Sequence, residues 1–279
     1  MSDKKIDTLV EDIYSLLDNG TKNPNQEALF ALAVTVMDGV RRQLWVSQAE
    51  SRPALRMSNI GKPCTRALWY DLNGDDSAEP LRPETKLKFM MGDIVEALIL
   101  YLAKESGHEV TMQQAEVNID GIKGHIDAVI DGELTDVKSS SSYGMKKFKN
   151  GTLPDDDPFG YIDQMSGYGN ALNKKSGTFV AFDKSSGELA TYTHKKLSDT
   201  SARIKKVKED TSSDTPPSRA FEPVADRPSG GKKLNVNCSY CSHKQTCWED
   251  IGLDTKFRSG RPIFLIKGSV KEKSNAPTF

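Results

Sequence analysis

The stretch Gly124-His125-Ile126-Asp127-Ala128-Val129-Ile130-Asp131-Gly132-Glu133-Leu134-Thr135-Asp136-Val137-Lys138 constrains the fold more than any other part of the chain. Val, Ile and Thr, which suit a pleated, half-buried surface, flank Asp131-Gly132, and Asp-Gly is a preferred pair for a two-residue type I′ hairpin turn. A turn at that place sets Ile130 against Glu133, and counting outward sets Asp127 against Asp136. Two carboxylates so placed repel, by about 0.2–1 kcal/mol in the open and more once desolvated. A hard divalent cation that takes carboxylate oxygens is the simplest compensation. The strand period of two returns Lys138 to the face of Asp136. Val129 and Leu134 share that face, whereas Ile126, Ala128 and Val137 fall on the other. Apolar residues on both faces predict a hairpin inside a covered sheet rather than a surface ribbon with solvated charges. His125 shares the carboxylate face in this register and reads as a structural histidine.

Around this hairpin the periodicity predicts helices and strands in alternation. Ile6, Leu9, Val10, Ile13, Leu16 and Leu17 mark a helix stopped at Gly20, and a second runs from Gln26 to Trp45. Together they suggest a helical arm or cap. Leu87, Met91, Ile94, Leu98 and Leu102 form a third apolar stripe that ends near Gly107. Strands are expected at about 109–119, 122–130 and 133–139. A helix from Phe159 to Leu172 follows, then strands from Thr178 to Asp183 and Glu188 to Thr193 joined by Ser-Ser-Gly, then a helix at about 197–210. Ser212 to Lys233, rich in Ser, Pro, Gly and charge, reads as a linker or mobile loop, and the tail after Cys247 as a cover for the domain. The expected organisation is a helical region over 1–57, a core over 58–211 and a C-terminal segment over 212–279 packed on it.

No apolar run approaches the roughly 20 residues that span a bilayer, and the first residues lack the apolar centre of a signal peptide, so a cytoplasmic protein with no membrane partner is expected. The net charge of −1 does not argue against a nucleic-acid partner, because positive charge is concentrated locally. Residues 138–149 hold Lys138, Lys146, Lys147 and Lys149 with no acid. A second run comprises Lys195, Lys196, Arg203, Lys205, Lys206 and Lys208, and a third lies in 255–273, where Glu272 is the one acid. Each run by itself reads as a solvated face. Asp155, Asp156 and Asp157, between Pro154 and Pro158, read as a solvated acidic loop.

The four cysteines are Cys64, Cys238, Cys241 and Cys247, the last three spaced Cys-x2-Cys-x5-Cys. A disulfide framework is not expected in a cytoplasmic chain of this size, and Cys-x2-Cys spacing is typical of metal ligation. Four thiolates suit either Zn²⁺ or a [4Fe–4S] cluster. Structural zinc sites usually pair two short knuckles, whereas one ligand here comes from a remote segment.

These residues together resemble the RecB-like branch of the PD-(D/E)xK nuclease superfamily, in particular its iron–sulfur members: the CRISPR-associated RecB-like exonucleases, the AddB nuclease domain and stand-alone phage exonucleases. The resemblance covers roughly residues 58–250. Gly124-x-x-Asp127 and Asp136-x-Lys138 look like the two metal-binding motifs. Gly92-x-x-x-Glu96 resembles the preceding helical motif, with Glu where many members have His. Gln164-x-x-x-Tyr168 resembles the helical motif distinctive of the RecB branch. Cys64, within Cys64-Thr65-Arg66-Ala67-Leu68-Trp69-Tyr70, and the later three cysteines are similar to the split cluster of the iron–sulfur members. No G-x-x-x-x-G-K-[ST] loop accompanies them, so the chain is not itself a helicase–nuclease.

The resemblance implies an α/β fold with a PD-(D/E)xK restriction-endonuclease-like core, a mixed central sheet flanked by helices, and a C-terminal cysteine-cluster segment. It implies metal-assisted hydrolysis of DNA, with Glu96, Asp127, Asp136 and the backbone carbonyl of Val137 holding one or two Mg²⁺ or Mn²⁺ ions. Lys138 would orient or deprotonate water or neutralise developing charge, and Gln164 and Tyr168 would face the scissile region. Lys146, Lys147 and Lys149 would carry phosphate contacts, with salt-dependent affinity. Cys64, Cys238, Cys241 and Cys247 would hold a structural [4Fe–4S] cluster, with zinc as the alternative. The expected partner is DNA, single-stranded or as duplex ends, with room for a helicase or recombination protein. Three activities compete: an exonuclease, a single-strand or structure-specific endonuclease of the same fold, and a non-catalytic DNA-binding module.

Overall fold

The computed structural model describes residues 4–45 and 54–269. The chain forms helices α1 (Leu9–Asn19), α2 (Gln26–Leu44), α3 (Thr65–Asn73) and α4 (Pro83–Glu105), then strands β1 (Val110–Thr111), β2 (Glu116–Ile119), β3 (Ile122–His125), β4 (Ala128–Ile130) and β5 (Glu133–Ser140). Next come α5 (Ser142–Asn150), α6 (Tyr161–Ala171), β6 (Gly177–Asp183), β7 (Leu189–His194) and α7 (Ser201–Ser212). The last stretch holds β8 (Val224–Asp226), β9 (Gly231–Lys233), the short helices α8 (Val236–Ser239) and α9 (Lys244–Cys247), and strands β10 (Leu253–Arg258) and β11 (Arg261–Ile266). Local chemistry sets several boundaries. Gly20 ends α1 at φ 69°, where a side chain would be strained. Asn25 and Ser141 cap α2 and α5 by accepting the N–H of Ala28 and Gly144.

Two compact units result. The first draws on Met1–Lys62 and Arg82–Lys205. Its five-stranded sheet has the order β1-β4-β5-β6-β7, with β5 and β6 parallel and the other pairs antiparallel, so the expected mixed central sheet flanked by helices is present. One face packs Val129, Leu134 and Phe179 against Met145 and Phe148 of α5 and Met165 and Tyr168 of α6. The other packs Ala128, Ile130, Val137 and Val180 against Leu9 and Ile13 of α1 and Val95, Ile99 and Ala103 of α4. Burial on both faces explains why the strands read as near-continuous apolar runs.

The structure corrects the α4 stripe. Leu87, Met91 and Leu98 are exposed, and the buried residues are Val95, Ala97, Ile99, Leu100 and Ala103. All of the fully buried positions lie in the C-terminal half of the helix, which is the half that meets the sheet. The strand expected over 122–130 also breaks, at Ile126-Asp127: β3 pairs with β2 in a separate two-stranded ribbon, and β4 pairs with β5. Ile126 therefore joins the cluster of Val129 and Leu134 instead of the opposite face.

The second unit draws on Pro63–Leu81 and Lys206–Phe279. It contains α3 and a four-stranded antiparallel sheet of order β10-β11-β9-β8. Leu234, Trp248, Phe264 and Ile266 form its core. The stretch 212–233, expected as a linker, thus supplies β8 and β9, and the tail folds as the β10–β11 hairpin. Ser259 and Gly260, at φ 48° and 72°, make that turn. Among the described residues, no helix is long and apolar enough to cross a membrane.

Candidate active site

The Asp-Gly turn forms as its chemistry requires. Asp131 and Gly132 both have positive φ, at 50° and 82°, and Ile130 pairs with Glu133, Val129 with Leu134 and Ala128 with Thr135. Asp127 lies just beyond the ladder, where its Oδ2 accepts the N–H of Val137 at 2.7 Å. Val137, expected to offer its carbonyl, thus also orients Asp127 through its amide. His125 does not join the carboxylates. The strand break leaves it exposed in β3, opposite Glu116.

Asp136 is buried in β5, and its Oδ2 lies 2.6 Å from Lys138 Nζ. The Lys138 ammonium is the ion-pair partner of this oxygen, which is otherwise buried without a hydrogen bond. Burial, then the charges of Asp136 and Glu96, hold the Asp127 carboxyl well above the usual carboxylate range. Glu96, on α4, is pushed up to about 7, first by burial and then by Asp136 and Asp93, against the opposing hydrogen bond from Gln114 Nε2. Burial disfavours the Lys138 ammonium, but Asp136 and Asp127 outweigh it and raise the lysine above its ordinary value. Three carboxylates that repel one another are, in their donor chemistry, of the kind that a hard cation takes.

Helix α6 completes the group. Gln164 Oε1 accepts from Lys138 Nζ at 3.4 Å, and Gln164 Nε2 donates to the Tyr168 hydroxyl at 3.1 Å. Burial pushes the Tyr168 phenol up to about 12. The ring of Tyr161 faces Lys138 Nζ at 4.6 Å, a contact that the sequence reading missed. Its signal was available: Tyr161 precedes Gln164 by three residues and so shares its helix face. Gly124 has a packing reason, because a Cβ there would meet Met57 Cβ at 2.5 Å and Tyr168 Cε1 at 2.8 Å. Gly92 has none, since the space around its missing Cβ is open.

The expected phosphate contacts divide. Lys147 pairs with Asp156 and Lys149 with Glu188, each at 2.6 Å, whereas Lys146 is exposed on α5. The acidic loop stays apart from the carboxylate group: Asp155 is exposed, Asp156 takes Lys147, and Asp157 Oδ2 accepts the Ile162 N–H at 2.8 Å. In the second basic run, Arg203 is an internal tie whose Nε donates to the Ile60 carbonyl at 2.7 Å.

In the second unit all four cysteines are free thiols. Burial, then Cys64, Cys247 and Cys241, pushes the Cys238 thiol up to about 12; burial raises Cys241 as well, with smaller contributions from Cys64 and Cys247. The four thiols therefore share one neighbourhood, in which their thiolates would repel, and this donor chemistry suits a cationic centre. Around them His243 bridges Asp75 and Asp71 through Nδ1 and Nε2, at 2.8 Å each, and stacks on Tyr70. Buried Lys244 donates to Glu79 and to the Cys241 carbonyl. Among the described residues, neither these cysteines nor any other group of three or more His, Cys, Asp or Glu is placed so that it could hold a metal ion.

No protein-family model matches the chain. No curated protein matches it either. Among solved structures it is similar to SSO0001, with a TM-score of 0.42 and 17% identity over 81% of this chain and 98% of that one. A phage-related exonuclease from Haemophilus somnus gives 0.38 and 17% over 58% and 92%. The alkaline exonuclease LHK-Exo from Laribacter hongkongensis gives 0.30 and 16% over 55% and 86%. Likenesses this distant carry no argument about chemistry, which rests on the residues themselves.

Proposed function

We propose that this chain is a divalent-metal-dependent DNA exonuclease with a structural [4Fe–4S] cluster. The observation that carries the reading is the position of Lys138, whose ammonium meets both Asp136 and Gln164, the latter bonded to Tyr168. Residues from separate motifs along the chain thereby converge on one charged point. Asp127, Asp136 and Glu96, with the Val137 carbonyl, are the residues that would hold Mg²⁺ or Mn²⁺, which supplies an activated water and stabilises the leaving oxygen. Lys138, ion-paired with Asp136, suits orienting the phosphate and neutralising its developing charge. Gln164 holds Lys138 in place, and the Tyr161 ring covers it. Lys146 is the residue ready for a phosphate contact, since Lys147 and Lys149 must first leave their acidic partners. Cys64, Cys238, Cys241 and Cys247 would hold the cluster, or zinc in its place.

The test is digestion of end-labelled linear DNA and covalently closed circles, single- and double-stranded, with Mg²⁺ or Mn²⁺. Linear DNA should be degraded and circles spared. Asp136→Asn should reduce cleavage to background, and Lys138→Met should lower it by about 10²–10⁴-fold. Nicking of circles would assign an endonuclease instead. Binding without cleavage of any substrate would assign a non-catalytic module.

A further inference from the structure

Phe159 is 66% exposed beside the candidate site, and its surroundings hold it there. Pro158 restricts the backbone before it. Gly160 follows at φ 72°, and the backbones of Gly160 and Gly61 touch, so that a Cβ on either would collide with the other's carbonyl oxygen. Asp157 closes the turn by accepting the Ile162 N–H. The Phe159 ring lies against Tyr161, with centroids 5.4 Å apart and planes 26° from parallel. Tyr161 in turn faces Lys138 Nζ at 4.6 Å. A flat hydrocarbon face is thus fixed in solvent two ring contacts from the lysine ammonium, leaving hydrophobic stabilisation unrealised.

The chemistry that fits such a face is an aromatic heterocycle carried on a phosphodiester strand. Every base has a π-face, so stacking on an aromatic side chain tolerates sequence, as a general nuclease requires. The cations for the strand's phosphates are Lys138 and the exposed Lys146, since Lys147 is held by Asp156 and the ring of Tyr143, itself 71% exposed. A base can offer its face only when it is unpaired and unstacked. We propose that Phe159, backed by Tyr161, is a nucleobase subsite that stacks an unpaired base of the strand held at Lys138, an inference that rests on the nuclease reading. The substrate it selects is a single-stranded or frayed end, since an intact duplex hides its base faces.

The test measures binding of the full chain, in EDTA so that nothing is cut, to oligonucleotides carrying 2-aminopurine in a single-stranded overhang or in a blunt duplex. The wild type should quench the overhang fluorophore. Phe159→Ala should weaken overhang binding about 5- to 150-fold and abolish the quench, with the melting temperature and blunt-duplex affinity unchanged. Phe159→Trp should keep both signals, whereas Phe159→Leu, apolar without a π-face, should lose the quench. Wild-type overhang binding by Phe159→Ala, or full recovery by Phe159→Leu, would overturn the subsite while leaving the nuclease reading standing. A wild-type chain that bound no DNA here and cut none with Mg²⁺ or Mn²⁺ would overturn both.

Discussion

Tyr168 fills the space that a side chain on Gly124 would need, its Cε1 standing 2.8 Å from where the Cβ would be. The two residues are far apart in sequence and belong to different motifs, yet the glycine lets α6 come close enough for Gln164, which donates to Tyr168 on the same helix, to meet Lys138. Gly124→Ala should therefore destabilise the fold by about 1–3 kcal/mol, because Met57 and Tyr168 must both move. Urea titration measures this. Cleavage should fall further than stability explains, since Gln164 moves with Tyr168. An alanine variant as stable as wild type would contradict the close approach.

Glu96 gives the fold a pH dependence with a defined sign. An unfolded glutamate titrates near about 4.3, and burial with Asp136 and Asp93 nearby pushes the folded group up to about 7. The folded chain binds the proton more tightly, so stability falls as pH rises across that window and stays lower above it. Glu96→Gln removes the charge and should be more stable than wild type at pH 8 by about 1–3 kcal/mol in the presence of chelator, and nearly equal at pH 4. Asp127 contributes a limb of the same sign that persists in the variant. Thermal melts at the two pH values check the difference. An equal gap at both would mean that the gain is not electrostatic.

The cysteine quartet should be occupied when the protein is prepared without air. Broad absorption near about 400 nm, with iron and sulfide in comparable amounts, is the expected result. Cys64→Ser should lose that absorption and lower the melting temperature of the second unit, because Cys64 lies on Pro63–Leu81 and the other three on the C-terminal stretch. Stoichiometric zinc without sulfide would identify a zinc clip and leave the candidate active site untouched.

Much of the site's local geometry could be read in the sequence because it depends on rules that act over a few residues. The register of β4 on β5 follows from Asp131-Gly132, whose positive φ values admit the turn and set which residues face each other. The pairing of Gln164 with Tyr168 follows from the helical repeat. Gly20 ends its helix for the same kind of reason. Tertiary structure decided what depends on remote neighbours. It selected the Val95–Ile99–Ala103 face of α4 over the Leu87–Met91–Leu98 stripe, because the sheet lies under one half of the helix. It broke the strand at Ile126-Asp127, turning His125 away and giving Asp127 the Val137 amide. It assembled β8 to β11 from a polar stretch and the tail, whose short strands gain stability by pairing with one another. It also set Tyr161 over Lys138 and left Phe159 in solvent, because a side chain's partner is chosen by packing across the fold and not by its position along the chain.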